Sequence, residues 1–419
     1  MLRYPDTWYS RTLAERRQRP ALAGRLSVDC AVVGGGFAGL FTALGLVRGG
    51  MRVAVLEAES VGFGASGRNG GFVSDGFAAG AASIWRQAGA ARAVALQALS
   101  AEGVEILRSL IRDRAIPGAL PVDGILRLRR FDRGDDLRAE AGPDVTYLDR
   151  AAIGARVASS RYHHGLEERS AFHVHPLNVL RGLAEAVEAQ GGLIFERSRV
   201  TACDLSGPVK RLVVGAGQVE AAQVVVATGG YTEALVPKLR RSMLPIATYV
   251  MLTESAPDLL SGAIRTPMAI GDDRRAGDYY RLLDDGRRLL WGGRITTRAA
   301  GTAGIVRQLR AEMLGVYPQL AGLRTELAWS GLMSYAPHRM PMIGQMAPGV
   351  WHAFGFGGHG LNTTAIGGTV LAEAMLGRPA RLAPFAPFGL RWAGGPLGLA
   401  AAQGTYWALQ AMDRWRERR

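Results

Sequence analysis

The chain has 419 residues, 48% of them hydrophobic and 21% charged, a balance that fits two or three globular cores and excludes disorder as the default. A formal charge of +14 would suit nucleic acid or an anionic surface, but the arginines are spread along the chain without an aromatic and basic RNA-binding pattern, so no nucleic-acid partner is expected. Two cysteines, Cys30 and Cys203, exclude a disulfide framework and any multi-cysteine zinc or iron–sulfur site.

The opening stretch "MLRYPDTWYSRTLAERRQRP" lacks an apolar run of signal-peptide length, and no later run reaches about 18 apolar residues, which points to the cytoplasm. Residues 1–25 read as an extension packing on the body. The apolar run Ala31-Val32-Val33 then meets Gly34-x-Gly36-x-x-Gly39, and a helical pattern follows through Leu40, Leu44 and Val47. That order is strand, tight turn, helix. Its glycines let the backbone approach a pyrophosphate, whose charge meets free N–H groups at the positive helix end. A second run, Val53-Ala54-Val55-Leu56, ends at Glu57, where a carboxylate can accept ribose hydroxyls. The ligand is therefore a dinucleotide with a free 2′-hydroxyl, NAD or FAD at this point.

Beyond "VGFGASGRNGG" a long helical pattern covers residues 82–114 and stops before Pro117-Gly118. Short strands and polar turns to about residue 169 have the character of a different domain. A helix begins at His175-Pro176, shows Leu177, Leu180, Leu183 and Val187 on one face, and ends at Gly191-Gly192. The strand "LIFERSRVT" and a hairpin around residues 215–217 lead into "QVVVATGGYT", a return to the nucleotide-binding style. Residues 235–330 are strand-rich again, with "MLPIATYVMLTE", the hairpin "DYYRLLDDGRRLLWGGR" turning at Asp285-Gly286, and one helix, "AGIVRQLRAEMLGVYPQL". The last return, "PHRMPMIGQMAPGVWHAFGFGGHGLNTTAIGGTVLAEAMLG", is strand, glycine-rich turn and helix, closed by Gly377. The end, "AAQGTYWALQAMDRWRERR", reads as an amphipathic helix, with packing on the body favoured over weak contact with a membrane surface.

Three glycine-rich returns suit FAD better than NAD. Gly34, Gly36, Phe37, Ala38 and Gly39 would serve the pyrophosphate. Ala65, Ser66, Arg68, Asn69, Gly70 and Gly71 would lie along the ribityl chain and ring junction. Gly358, His359, Gly360, Leu361 and Asn362 would meet the pyrimidine edge of the ring. Glu57 takes the ribose, and Val200, Thr228, Gly229 and Gly230 complete the nucleotide site.

The residues "YSRTLAERRQRPALAGRLSVDCAVVGGGFAGL", "FGASGRNGGF", "HPLNVLRGLAEA", "DYYRLLDDGRRLLWGGR", "GFGGHGLNTTAIGG" and "FAPFGLRWAGGPLGLAAAQGTYW" carry a resemblance over nearly the full chain. It resembles the flavoprotein superfamily of D-amino-acid, glycine and sarcosine oxidases, and within it the γ-glutamylputrescine oxidase type of amine oxidoreductase. The resemblance implies an α/β two-domain flavoprotein, in which a Rossmann-like FAD-binding domain (26–115, 170–234 and 331–419) carries an inserted, mainly antiparallel β-sheet substrate domain (116–169 and 235–330). It implies oxidation of an amine or amino-acid C–N bond by hydride transfer to flavin N5, giving an imine that hydrolyses to an aldehyde or keto acid. Oxygen or another acceptor would then take the electrons.

Sarcosine-oxidase relatives attach flavin to a cysteine before the last flavin loop, where this chain reads "WSGLMSYAPHRMPMIG", so FAD is expected to be non-covalent. The lysine those relatives place beside the flavin is also missing from "GRRLLWGGR" and "GFGGHGLN". His359, Tyr249, Tyr280 and Arg294 are the candidate catalytic residues. Strand alternation places either Tyr279 with Arg281 or Tyr280 with Leu282 on the substrate face. Arg294 and Arg339 are candidates for a substrate carboxylate, whose position distinguishes the readings. A guanidinium beside the flavin would favour a D-amino-acid, glycine or sarcosine oxidase or dehydrogenase, and a remote one a γ-glutamylated polyamine. A reading of another class is a flavin-binding protein with a non-catalytic role at nucleic acid or a membrane surface. His173 and His175 read as helix-start and packing residues, and no metal site is expected.

Overall fold

In the strand Arg25–Val33, Cys30 and Val32 face one buried cluster while Ala31 and Val33 face another. A strand covered on both faces belongs in the middle of a parallel sheet, and the computed structural model places it there. The structure describes residues 2–132, 134–274, 277–297 and 302–417, without the side chain of Thr302. Among them the strands form two sheets, of eight and nine strands.

In the first sheet the parallel strands run in the order Leu193–Phe195, Val53–Leu56, Arg25–Val33, Gly217–Val226 and Val350–Phe354. Counted along the chain this is the 3-2-1-4-5 order of a dinucleotide-binding sheet, with its ligand crevice at the carboxyl ends of the strands. The strand Met342–Ala347 and the hairpin Val200–Asp204 with Lys210–Val214 add antiparallel edges. The second sheet is antiparallel except where Ala269–Asp272 pairs with Val122–Arg129. It takes Phe72–Val73 from the N-terminal segment, and its edge strand Thr325–Tyr335 runs on past residue 330.

The helical pattern at 82–114 is two helices, Ala81–Ala88 and Ala90–Arg114, because Gly89 between them has φ +81°, outside the helical region. The helix Pro176–Ala189 is capped by His175, whose Nδ1 accepts from the Asn178 N–H at 3.1 Å. The N-terminal segment is tied down by buried polar contacts. Asn178 Oδ1 accepts from the Ala14 N–H, the Arg19 guanidinium pairs with Glu188 through two hydrogen bonds, and Arg181 pairs with Glu15.

Against the first sheet, the helices Phe37–Arg48, Gly360–Met375 and Ala90–Arg114 approach one another at glycines. A Cβ on Gly45 would stand 2.5 Å from Ala372 Cβ, and one on Gly368 would stand 2.7 Å from Phe41 Cβ and 2.9 Å from Ala38 O. A Cβ on Gly103 would reach the Asn362 carbonyl at 2.2 Å. The helices therefore pack close to backbone on backbone, which any added volume disrupts.

Gly368→Val is expected to cost about 1–3 kcal/mol, read as a lowered thermal unfolding midpoint. Gly142→Ala, at a glycine with open space around its Cβ position, is the control. Equal midpoints for Gly368→Val and the unmodified chain would exclude this close crossing.

Candidate active site

The helices Phe37–Arg48 and Gly360–Met375 open on the same cavity. Gly34 has φ +113°, and a Cβ there would strike the Ala227 carbonyl at 2.6 Å. A Cβ on Gly36 would fill the space before Ser66 Oγ, and one on Gly39 would meet Gly34 O at 2.1 Å. The first intrahelical bond runs from the Leu40 N–H to Gly36 O, so the N–H groups of the preceding turn lie ahead of the helical ladder. That of Phe37 donates to Ser66 Oγ. Across the cavity, the helix Gly360–Met375 begins after His359.

The cavity between these ends has a volume of about 460 Å³. Phe37, Ala38, Arg68, Asn69, Gly70, Gly358, His359, Gly360, Leu361 and Arg294 line it. A second cavity of about 180 Å³ shares Gly36, Ala65, Ser66, Gly229 and Gly230 with the first, and adds Gly34, Glu57, Val200 and Thr228. Glu57 Oε2 accepts from the Gly35 N–H at 2.7 Å and Oε1 from the Glu59 N–H at 3.0 Å. Burial pushes this carboxyl above its ordinary range, and the two backbone donors oppose that push. The remaining lone pairs of the two oxygens suit a diol. Two joined cavities, a glycine cradle that side chains would fill and a carboxylate at the far end fit an FAD molecule.

Arg68 stacks over the Phe63 ring at 4.4 Å, donates from Nε to Phe63 O, and holds a buried Nη2 without a hydrogen-bond partner among the described residues. Asn69 spends its side chain on the turn, donating to the Ser66 carbonyl and accepting from the Gly71 N–H. His359 Nε2 lies 2.7 Å from Asp75 O and 3.1 Å from Ser74 O. Because both are acceptors, Nε2 carries a proton, and burial lowers the ring's pKa from its ordinary 6.5.

Six expected residues lie off both cavities. Gly39 is a packing glycine against Gly34. Gly71, at φ +81°, lies where a Cβ would strike Val174 O. The Asn362 amide donates to Ser100 and to Gly76 O, pinning the helix Gly360–Met375 to Ala90–Arg114. Tyr280 stacks on Trp291 at 4.3 Å, and its hydroxyl bonds those of Tyr162 and Tyr317 in the core of the second sheet. Tyr249 lies in the same core, because strand alternation turns it away from Thr248, which lines the cavity. Arg339 is exposed and lines neither cavity.

Tyr279 supplies the wall that Tyr280 does not. Its ring is wedged at Gly292, where a Cβ would stand 2.0 Å from Cζ, and at Gly70, where one would stand 2.6 Å from Cε2. Arg281, the other residue on that face, is spent elsewhere. Its Nη1 donates to His173 Nδ1 at 2.7 Å and its Nη2 to Tyr9 Oη and Val174 O. Burial, with help from Arg281, depresses His173 to about 3, which keeps that nitrogen an acceptor. Phe356, inside the last glycine-rich motif, also lines the cavity, as do Tyr335, Met333 and Ile295, which no sequence motif marks. Among the described lining residues there is no carboxylate, no lysine and no cysteine.

The chain matches the family model described as DAO, FAD dependent oxidoreductase, over residues 29–374. It is 32% identical to the gamma-glutamylputrescine oxidoreductase of Escherichia coli (strain K12) over 396 residues, covering 92% of each chain. It is 25% identical to a glycine oxidase of Pseudomonas aeruginosa, covering 87% of this chain and all of the relative. Among solved structures it is similar to the glycine oxidase of Geobacillus kaustophilus, with a TM-score of 0.72 at 21% identity, covering 87% of this chain and 99% of that one. The nucleotide-type sheet, the glycine cradle and these matches together place the chain in the DAO family of FAD-dependent oxidoreductases.

Proposed function

We propose that this enzyme oxidises the C–N bond of an amine whose reacting carbon bears no carboxylate, with γ-glutamylputrescine as the type of substrate and FAD held non-covalently. The observation that carries the reading is the engagement of Arg281. On the strand beside Tyr279, this guanidinium is buried and committed to His173, Tyr9 and Val174, so it is not presented to an α-carboxylate. Bound FAD supplies the two-electron acceptor, and the oxidised amine leaves as an imine that water converts to an aldehyde.

The chain's own residues position and desolvate the amine. Tyr279, Tyr335 and Thr248 wall the cavity beside His359. Burial raises both tyrosines above their ordinary range, so they stay protonated. With no carboxylate on the described lining, the amine has no ion-pair partner there and enters neutral. Arg294, on the strand Arg288–Thr296 toward the C-terminal helix, is the partner assigned to the remote carboxylate of a γ-glutamyl group. Its fork is held by Glu312.

A second reading, a glycine or D-amino-acid oxidase type, is favoured by one feature. The unpartnered Arg68 Nη2 in the cavity wall is a donor that an α-carboxylate could take.

Anaerobic bleaching of the flavin against γ-glutamylputrescine, putrescine, sarcosine, glycine and D-amino acids separates the two. Rapid bleaching only by the amino acids would overturn the first reading, and no bleaching by any would overturn both. Arg294→Gln is expected to raise KM for γ-glutamylputrescine about tenfold or more, with kcat within about twofold and the KM for putrescine unchanged. Between pH 6 and pH 8.5 the ratio kcat/KM should rise about tenfold per pH unit as the substrate ammonium loses its proton. His359, whose pKa burial lowers from its ordinary 6.5, should leave that slope intact when replaced in His359→Gln.

Glu57→Ala is expected to weaken FAD binding about 10- to 100-fold in a fluorescence titration of apoprotein, the magnitude of lost hydrogen bonds to a charged group. Acid precipitation should leave all flavin in the supernatant. Flavin retained on the polypeptide would exclude non-covalent attachment.

A further inference from the structure

The helix Gly395–Arg416 docks on the second sheet by its polar side. Tyr406 Oη accepts from the Ile295 N–H at 3.0 Å, and Gln403 Oε1 accepts from the Thr297 N–H at 3.0 Å. Its two acids turn the same way. Asp413 is buried, and Glu417, just past the helix, pairs with Arg130 in a buried ion cluster. No charged residue occurs between Gly395 and Met412, so among the described residues the outward charges of this segment are arginines alone, Arg391, Arg414 and Arg416.

On a helical wheel of 100° per residue, Leu397, Ala401, Gly404, Ala408, Ala411 and Trp415 fall on one outward stripe, and each is exposed. Arg414 and Arg416 flank that stripe on opposite sides. Leu397 is 76% exposed, Trp407 51% and Trp415 54%, with Trp392 at 70% just before the helix. Tryptophans beside an uncharged stripe, with guanidiniums on both flanks and every acid turned inward, match a water–lipid boundary bearing negative headgroups. The stripe has no carboxylate to repel such a surface. None of the described helices is long and apolar enough to cross a membrane, so the fit is to lying on a bilayer.

We propose that the outer face of this helix is a docking surface for an anionic lipid bilayer. The test uses FAD-loaded full-length protein and phosphatidylcholine vesicles with or without phosphatidylglycerol. The protein should co-sediment with the anionic vesicles, its tryptophan emission should shift to the blue, and brominated acyl chains should quench it. The double variant Trp407→Ser/Trp415→Ser should lower partitioning about tenfold or more, as should Arg414→Gln/Arg416→Gln. Arg48→Gln/Arg211→Gln, which removes the same charge from the half built on the parallel sheet, should stay within twofold. Flavin absorbance unchanged in all three variants establishes that each is folded.

Failure of the unmodified protein to bind anionic vesicles would overturn the proposal. Equal losses in the Arg48 and Arg211 control would also overturn it, because net charge alone would then be responsible. A concentration-dependent dimer without lipid, lost in Trp407→Ser/Trp415→Ser, would overturn it in favour of a second copy of the chain on this face.

Discussion

The close crossing of the helices Phe37–Arg48 and Gly360–Met375 is the constraint on which the site depends. Gly45 meets Ala372 and Gly368 meets the Ala38 to Thr42 turn with no room for a side chain. Each helix carries a partial positive charge at its N-terminus, and the crossing brings both of those ends to one cavity. Two like partial charges held facing each other are unfavourable until something negative lies between them. The fold therefore builds its affinity for an anionic, electron-rich ligand into helix packing, without a lysine in the described wall.

The second sheet shapes its side of the cavity by a similar use of packing. Gly292 and Gly70 let the Tyr279 ring lie where side chains on those residues would collide with it. Arg281 beneath it stays buried because a neutral imidazole, a phenol and a carbonyl each receive one of its N–H groups. Protonating His173 would remove an acceptor and set two cations side by side. Burial and the guanidinium itself hold that imidazole's pKa down to about 3, so the arrangement persists across the range in which an amine substrate titrates. A charge on this strand is thus converted into a structural strut, and the face presented to the cavity remains uncharged.

The parts legible in the sequence are those whose meaning is local. Gly34, Gly36 and Gly39 announce a strand, turn and helix because each has its own steric reason within six residues, and Glu57 follows from strand length. Tyr279 and Tyr280 were not separable, because alternation fixes which residues share a face but not which face the cavity lies on, and both faces of this strand are covered. Tyr249 raises the same ambiguity, since alternation sets it opposite Thr248 without telling which of the two meets the cavity. Asn362 sits in a glycine-rich motif, yet its helical position turns it to Ser100, a contact separated from it by 262 positions. Tyr335 reaches the cavity only because its strand pairs with Leu244–Thr253, a fact no local pattern carries.

The C-terminal helix joins the outer surface to the cavity wall through Arg294. That residue follows Gly292 and Gly293 with φ +54°, a conformation that favours glycine and that an arginine adopts at some cost. The cost is offset by its environment. Glu312 pairs with both Arg294 and Arg274, Asp278 pairs with Arg274 and Arg130, and Glu417 draws the end of the C-terminal helix into the same cluster. Because the carboxylates are shared between arginines, Arg294 is anchored on its Nη2 by Glu312 while the residue also lines the cavity. A guanidinium fixed at one nitrogen keeps the planar fork oriented, so the substrate carboxylate proposed above would meet donors already in place. Movement of the C-terminal helix would disturb Glu417, the backbone bonds of Ile295 and Thr297, and through them the seat of Arg294. Whatever rests on the outer face of that helix is mechanically continuous with the wall against which a substrate carboxylate would lie.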